Sequence, residues 1–188
     1  KSFGNNVLIN KEVNGVNSTY YNVSNYNKVI IFIVFLIVFS GALIYLHNTE
    51  SSMNKNMPDI SDNIATGDSD YNAAVDSLNN KNYNEATNKA ISANNNFNQS
   101  LILLLGIKDN FTSGTNDIHK KYINSVISEL ELKMNATDYL MESIDYYKNY
   151  QNSTGNEYSS HANELMKDAL EFQNVRNDLV KNNPNLFK

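Results

Sequence analysis

Apolar residues along the chain fall into one unbroken run followed by several periodic stretches. From Val29 to Leu46 the residues read VIIFIVFLIVFSGALIYL, eighteen positions without a charge. At about 1.5 Å of rise per residue that is about 27 Å of helix, close to the hydrocarbon thickness of a bilayer. The run has no polar face, so as a soluble helix it would need wrapping on all sides, and no other segment is apolar enough to do that. It predicts a transmembrane helix over 29–46, with Tyr21, Tyr26 and Tyr45 near its ends where a ring and a hydroxyl meet different solvents. Residues 1–28 then form a short polar tail. Residues 47–67, rich in Ser, Asn and Asp with Pro58, show no sustained period and read as a flexible stalk.

Past the stalk the period is helical. Asp68 is placed to cap a short helix carrying Tyr71, Ala74, Val75 and Leu78 on one side, ended by the Asn79–Asn82 turn. A second helix starts near Tyr83, with Ala86, Ala90, Phe97, Leu101, Leu104 and Leu105 at steps of three and four, and ends between Asp109 and Gly114. Thr115 is the expected cap of the longest helix, whose seam reads Ile123, Val126, Leu130, Met134, Thr137, Met141, Ile144 and Tyr147. Thr154 and Glu157 make a capping box for a last helix that turns Tyr158, Ala162, Leu165, Ala169, Phe172 and Leu179 inward and stops before Pro184. Short connections force neighbours to run antiparallel. The fold class is therefore all-α: an N-terminal transmembrane helix, then a three- to four-helix antiparallel bundle over 68–183.

Tyr83, Glu85 and Ala86 in NKNYNEA, with Ala93 after them, resemble the second half of a tetratricopeptide repeat. The resemblance covers residues 70–94 and implies a helical hairpin in which small alanines let the paired helices approach. Ala73 and Ala74 stand where that family's leucine and glycine would be, and no copy recurs at the family's period of about 34 residues, so its peptide-binding groove is not carried over. The arrangement as a whole is similar to the small anchored helical bundles of archaeal and bacterial envelopes.

Charge fixes the expected orientation. Lys1, Lys11 and Lys28 precede the apolar run, while the stretch after it offers only Lys55 against Glu50, Asp59 and Asp62, which places the amino-terminal side in the cytoplasm and the bundle outside. Ser40, Gly41 and Ala42 have the small residues of a signal-peptidase site, but the apolar run continues through Leu43, Ile44 and Leu46, which favours an uncleaved signal anchor. The chain opens on Lys1 rather than Met, consistent with a fragment. A net charge of -5 argues against wrapping nucleic acid. With no Cys, disulfides and thiolate metal sites are excluded. Asn accounts for about 35 of the 188 residues, an excess that A/T-rich codons explain and that also supplies sequons at Asn17, Asn22, Asn98, Asn110, Asn135 and Asn152. Asn110 and Asn152, in expected connections, are the candidate glycosylation sites.

No catalytic, cofactor-binding or metal-binding constellation emerges. His47, His119 and His161 share no motif, and His161 with Glu164 reads as an exposed pair. Asp68, Asp70 and Asn72 mimic the opening of a calcium loop, yet Ala73 occupies its glycine position. Carboxylates such as Glu129 with Glu131, or Asp138 with Glu142, read as solvated helix faces. The candidate interaction patch is Leu101, Ile102, Leu103, Leu104 and Leu105, because five consecutive large apolar residues cannot share one helix face. The expected function is thus a non-enzymatic, membrane-anchored extracytoplasmic bundle acting by protein–protein contact or as an envelope scaffold, touching lipid through 29–46, with a protein partner or a second copy and without nucleic acid or cofactor. Its anchor confines it to two dimensions and its stalk lets it search nearby. The alternative is an extracytoplasmic ligand-sensing domain of a membrane signalling protein.

Overall fold

The computed structural model describes residues 51–187, with side chains from Lys55 onward. The tail 1–28, the apolar run 29–46 and the sequons at Asn17 and Asn22 lie outside the described residues. Among those described, no helix is long and apolar enough to cross a membrane.

Four antiparallel helices make up the bundle: α1 Ser51–Asn79, α2 Tyr83–Asp109, α3 Asp117–Lys148 and α4 Asn152–Asn182. Each packs on the next in the chain. Among the described residues α1 touches α3 only in passing, and no Cα of α4 comes within 8 Å of α1 or α2. The array is therefore open between its first and last helices, with α3 the most enclosed element.

The stalk expected over 47–67 is corrected by α1, which is already helical at Ser51 and carries Met57 and Ile60 into the core. Small polar residues hide this turn-by-turn contact, and so does Pro58, which lies inside α1 seven residues after its start, where proline removes one i→i−4 backbone donor and crowds the preceding turn. Asp68 consequently sits in the middle of α1 rather than at its cap. Two further caps differ: Asn116 in place of Thr115 opens α3, its Oδ1 accepting from the Ile118 N–H at 2.8 Å, while α4 begins at Asn152 with Thr154 inside it.

Both hairpin turns close the same way. After α1 the Asn82 N–H donates to the Ser77 carbonyl and Lys81 N–H to Leu78; after α3 the Gln151 N–H donates to Tyr146 and Tyr150 N–H to Tyr147. This pairing caps orphan carbonyls and needs a left-handed residue, supplied by Lys81 and Tyr150, each at φ 61°. Lys81 and Tyr150 are 69 positions apart. The same shift carries six of the seven buried residues of α2, Ala86, Ala90, Ala93, Phe97, Ser100 and Leu104, onto the buried residues of α4, Gly155, Ser159, Ala162, Met166, Ala169 and Gln173; the seventh, Ile107, falls on the half-buried Arg176. The bundle is thus two hairpins with one packing pattern, each narrowed near its turn by small residues. The hairpin implied at 70–94 is part of the first, whose helices of 29 and 27 residues together exceed a repeat unit of about 34.

Close approach has a specific cause at Gly67. A Cβ there would lie 2.5 Å from Phe97 Cε1, so the absent side chain is what lets the fully buried Phe97 ring lie against α1. At the far turn Gly155 likewise lies against the Tyr147 ring, and its carbonyl accepts from Ser143 Oγ at 2.9 Å. The chain's last described residues fold back onto the start of α3: Phe187 is buried against His119 and Tyr122, and the Leu186 carbonyl accepts from His119 Nε2 at 3.1 Å.

Candidate functional site

The fold brings together charged side chains in a way the sequence pattern does not: Asp68 and Glu129, read there as a cap and a solvated face, join Lys133 and Arg176, which no motif singles out. Asp68 of α1, Glu129 and Lys133 of α3 and Arg176 of α4 form one cluster across three helices. Lys133 Nζ lies 2.8 Å from Asp68 Oδ1 and 2.8 Å from Glu129 Oε1, and Arg176 Nη2 lies 3.1 Å from Glu129 Oε2. Lys133 is 0 % exposed and its ammonium stands 5.6 Å from the centre of the Phe97 ring, a cation–π contact that shields it further. Two carboxylates and two cations leave the cluster formally neutral. Both Glu129 oxygens sit within ion-pair distance but off hydrogen-bond geometry, so their stabilisation is mainly coulombic.

Burial and pairing pull these groups in opposite directions. Burial pushes the Asp68 carboxyl above the usual carboxylate range, with Lys133 pulling it back. For Lys133 burial favours loss of the proton, but Glu129 and Asp68 outweigh it and hold the ammonium above its ordinary value. Asp68, Glu129 and Lys133 are closed to solvent, Arg176 reaches the cluster's edge with 13 % of the side chain exposed, and the charges pair with one another. The cluster ties α1, α3 and α4 together through paired charges.

The carboxylates read as a calcium-loop opening diverge on the folded chain. Asp68 enters the cluster, while Asp70 accepts from Lys89 Nζ at 2.8 Å and Ser92 Oγ at 2.6 Å on α2. Burial raises the Asp70 carboxyl, but those two hydrogen bonds prevail and hold it below the usual range. Of the pairs expected on solvated faces, Asp138, Glu142 and Glu131 are exposed as expected, whereas Glu129 is fully buried. His161 lies 3.4 Å from Glu164 on the exposed side of α4. Among the described residues no three His, Asp or Glu converge on a metal-sized site. A shallow hollow open to solvent, between the first hairpin turn and the end of α3, is lined by Lys81, Asn82, Tyr83, Asn84, Glu85 and Lys148.

The structure divides the apolar stretch of α2. Leu104 is fully buried, Leu101 and Leu103 lie half-buried on the core, and Ile102 and Leu105 face solvent with 59 % and 39 % of their surface exposed. The accessible part of the patch is therefore those two residues; Ile91 faces solvent farther up α2 at 46 % exposed. Asn110 and Asn152 are exposed at helix boundaries, Asn110 donating from Nδ2 to the Gly106 carbonyl at 2.7 Å; Asn98 and Asn135 are also exposed, on helix surfaces.

A pH dependence follows from the buried phenols. Burial raises Tyr71 far above, and Tyr122 above, the ordinary phenol value, and Lys133 is also raised. A raised folded pKa means that the unfolded chain sheds its proton first as pH rises, so stability is intact below about pH 10 and falls above it. The urea midpoint is expected to be level between about pH 7 and 9 and to drop steeply above about pH 10; Tyr71→Phe should flatten that drop.

No protein-family model matches the chain, and no curated protein or solved structure matches it either.

Proposed function

From these features we propose that the protein is a single-pass membrane protein whose helical bundle stands outside the cytoplasm and acts by binding a protein partner or a second copy, as an envelope scaffold, without catalysis. The observation that carries this is the uncharged run Val29–Leu46 ending five residues before a self-contained bundle. The lysines at 1, 11 and 28 support the orientation. The charged cluster that joins three helices is largely buried and self-paired, which suits a role in fixing shape.

With α1 helical from Ser51, the connection after the run shortens to His47–Glu50, so the bundle is held near the membrane rather than searching on a slack stalk. That short spacing in sequence also supports the sensor alternative, since a displacement within the bundle would reach the membrane with little slack to absorb it. Full-length protein is expected to sediment with cell membranes and to resist alkaline carbonate, and deletion of 29–46 to release it. Release of the intact chain by carbonate would refute the anchor.

A further inference from the structure

We propose that the end of the bundle where α1 begins rests on the lipid surface through Ile102 and Leu105. The inference depends on the anchor at 29–46. Five peptide links separate Leu46 from Ser51, so even fully extended chain places the start of α1 within about 18 Å of the end of the apolar run. Because the helices alternate in direction, the start of α1 shares its end of the bundle with the end of α2, the loop 110–116, the start of α3 and the end of α4. Ile102 and Leu105 lie in the last two turns of α2, on its exposed side, and Gly106 beside them leaves open space. Two exposed branched side chains within reach of a bilayer interface gain by burying there, at about 25 cal/mol per Å² of apolar area removed from water.

Charge agrees with this placement. This end is about neutral, Lys108, Lys120, Lys121 and Lys181 being offset by Asp109, Asp117 and Asp178, whereas the opposite end is net acidic, Glu85, Glu142, Asp145, Glu157 and Glu164 outnumbering Lys81 and Lys148. Lysine stems can lie along the interface with their ammonium groups among headgroups, while the net-acidic end is kept away from anionic lipid. The acidic end is then the one presented to whatever the bundle meets.

Ile91 separates lipid from a second copy as the occupant. It is exposed on α2 eleven residues before Ile102, about 16 Å farther from the lipid. A protein partner lying along α2 would cover Ile91 together with Ile102 and Leu105, and a lipid surface would cover the latter two alone. The chain has no native cysteine, so single-cysteine variants carry one fluorescent label each. The full chain with Ile91→Cys, Ile102→Cys, Leu105→Cys or, as a far-end control, Tyr150→Cys is reconstituted into phosphatidylcholine–phosphatidylglycerol vesicles containing headgroup-nitroxide lipid. Labels at 102 and 105 are expected to be quenched several-fold more than those at 91 and 150. Equal, weak quenching at all four sites in a chain that stays with the vesicles through alkaline carbonate overturns the lipid contact and leaves the anchor standing. Loss of the chain from the vesicles overturns both. Shielding of 91, 102 and 105 together from an aqueous quencher, growing with protein density, overturns lipid in favour of a second copy.

Discussion

Replacing Lys133 by Met is expected to destabilise the bundle by about 3–5 kcal/mol, because it leaves Asp68 and Glu129 buried with only Arg176 between them. The Met side chain fills nearly the same space, so the loss reports the uncompensated charges rather than a cavity. Replacing all four members together, Asp68→Leu, Glu129→Leu, Lys133→Met and Arg176→Met, should recover most of that loss, since well-packed apolar substitutes for a buried ion cluster are commonly neutral or stabilising by about 1–4 kcal/mol. Urea unfolding of residues 51–188 followed by circular dichroism measures both. A loss below about 1 kcal/mol for the single change would mean that the cluster behaves as a hydrated surface pair.

Phe97→Ala should cost a similar amount, about 3–5 kcal/mol, for a different reason. It empties the space between Gly67 of α1 and Lys133 of α3 and strips the ring from the ammonium. Gly67→Ala approaches the same contact from the other side: its Cβ would press on the ring, with an expected cost of about 1–3 kcal/mol that vanishes in the Phe97→Ala background. Because Phe97 and Lys133 touch, the double change Phe97→Ala with Lys133→Met should fall short of the sum of the two by more than about 0.5 kcal/mol. Strict additivity in the same urea series would separate the ring from the charge cluster.

How legible these features are in the sequence depends on which signal is followed. Helix class, the two hairpin turns, the antiparallel order and the ends of α2 and α4 are there in the periodicity and the turn residues. The cluster was also within reach at one point. A strict alternation of three and four along α3 runs Val126, Leu130, Lys133, Thr137, Leu140, Ile144, and it is this line that is buried; preferring apolar letters shifts it onto Met134 and Met141, which are only half-buried. Lys133 on that line, with Glu129 four residues before it, is the local trace of a buried pair. Asp68, which pairs with Lys133, is 65 positions before it, and Arg176, which pairs with Glu129, is 47 positions after that residue, and no local period connects them. The helical start of α1 was hidden because Asn, Ser and Asp favour caps and turns on intrinsic propensity, whereas Met57, Ile60 and Gly67 gain from contacts that exist only once α2 is in place. Residues 51–188 are therefore the unit to test, since α1, with Gly67 and Asp68, begins at Ser51.

The proposed role depends on the bundle's tethering outside the cytoplasm. Its most direct test is protease added to cells carrying the full chain with a carboxyl-terminal epitope, with a cytoplasmic protein followed alongside. The epitope is expected to disappear from intact cells while the cytoplasmic protein survives. An epitope that persists until the membrane is permeabilised would contradict the placement.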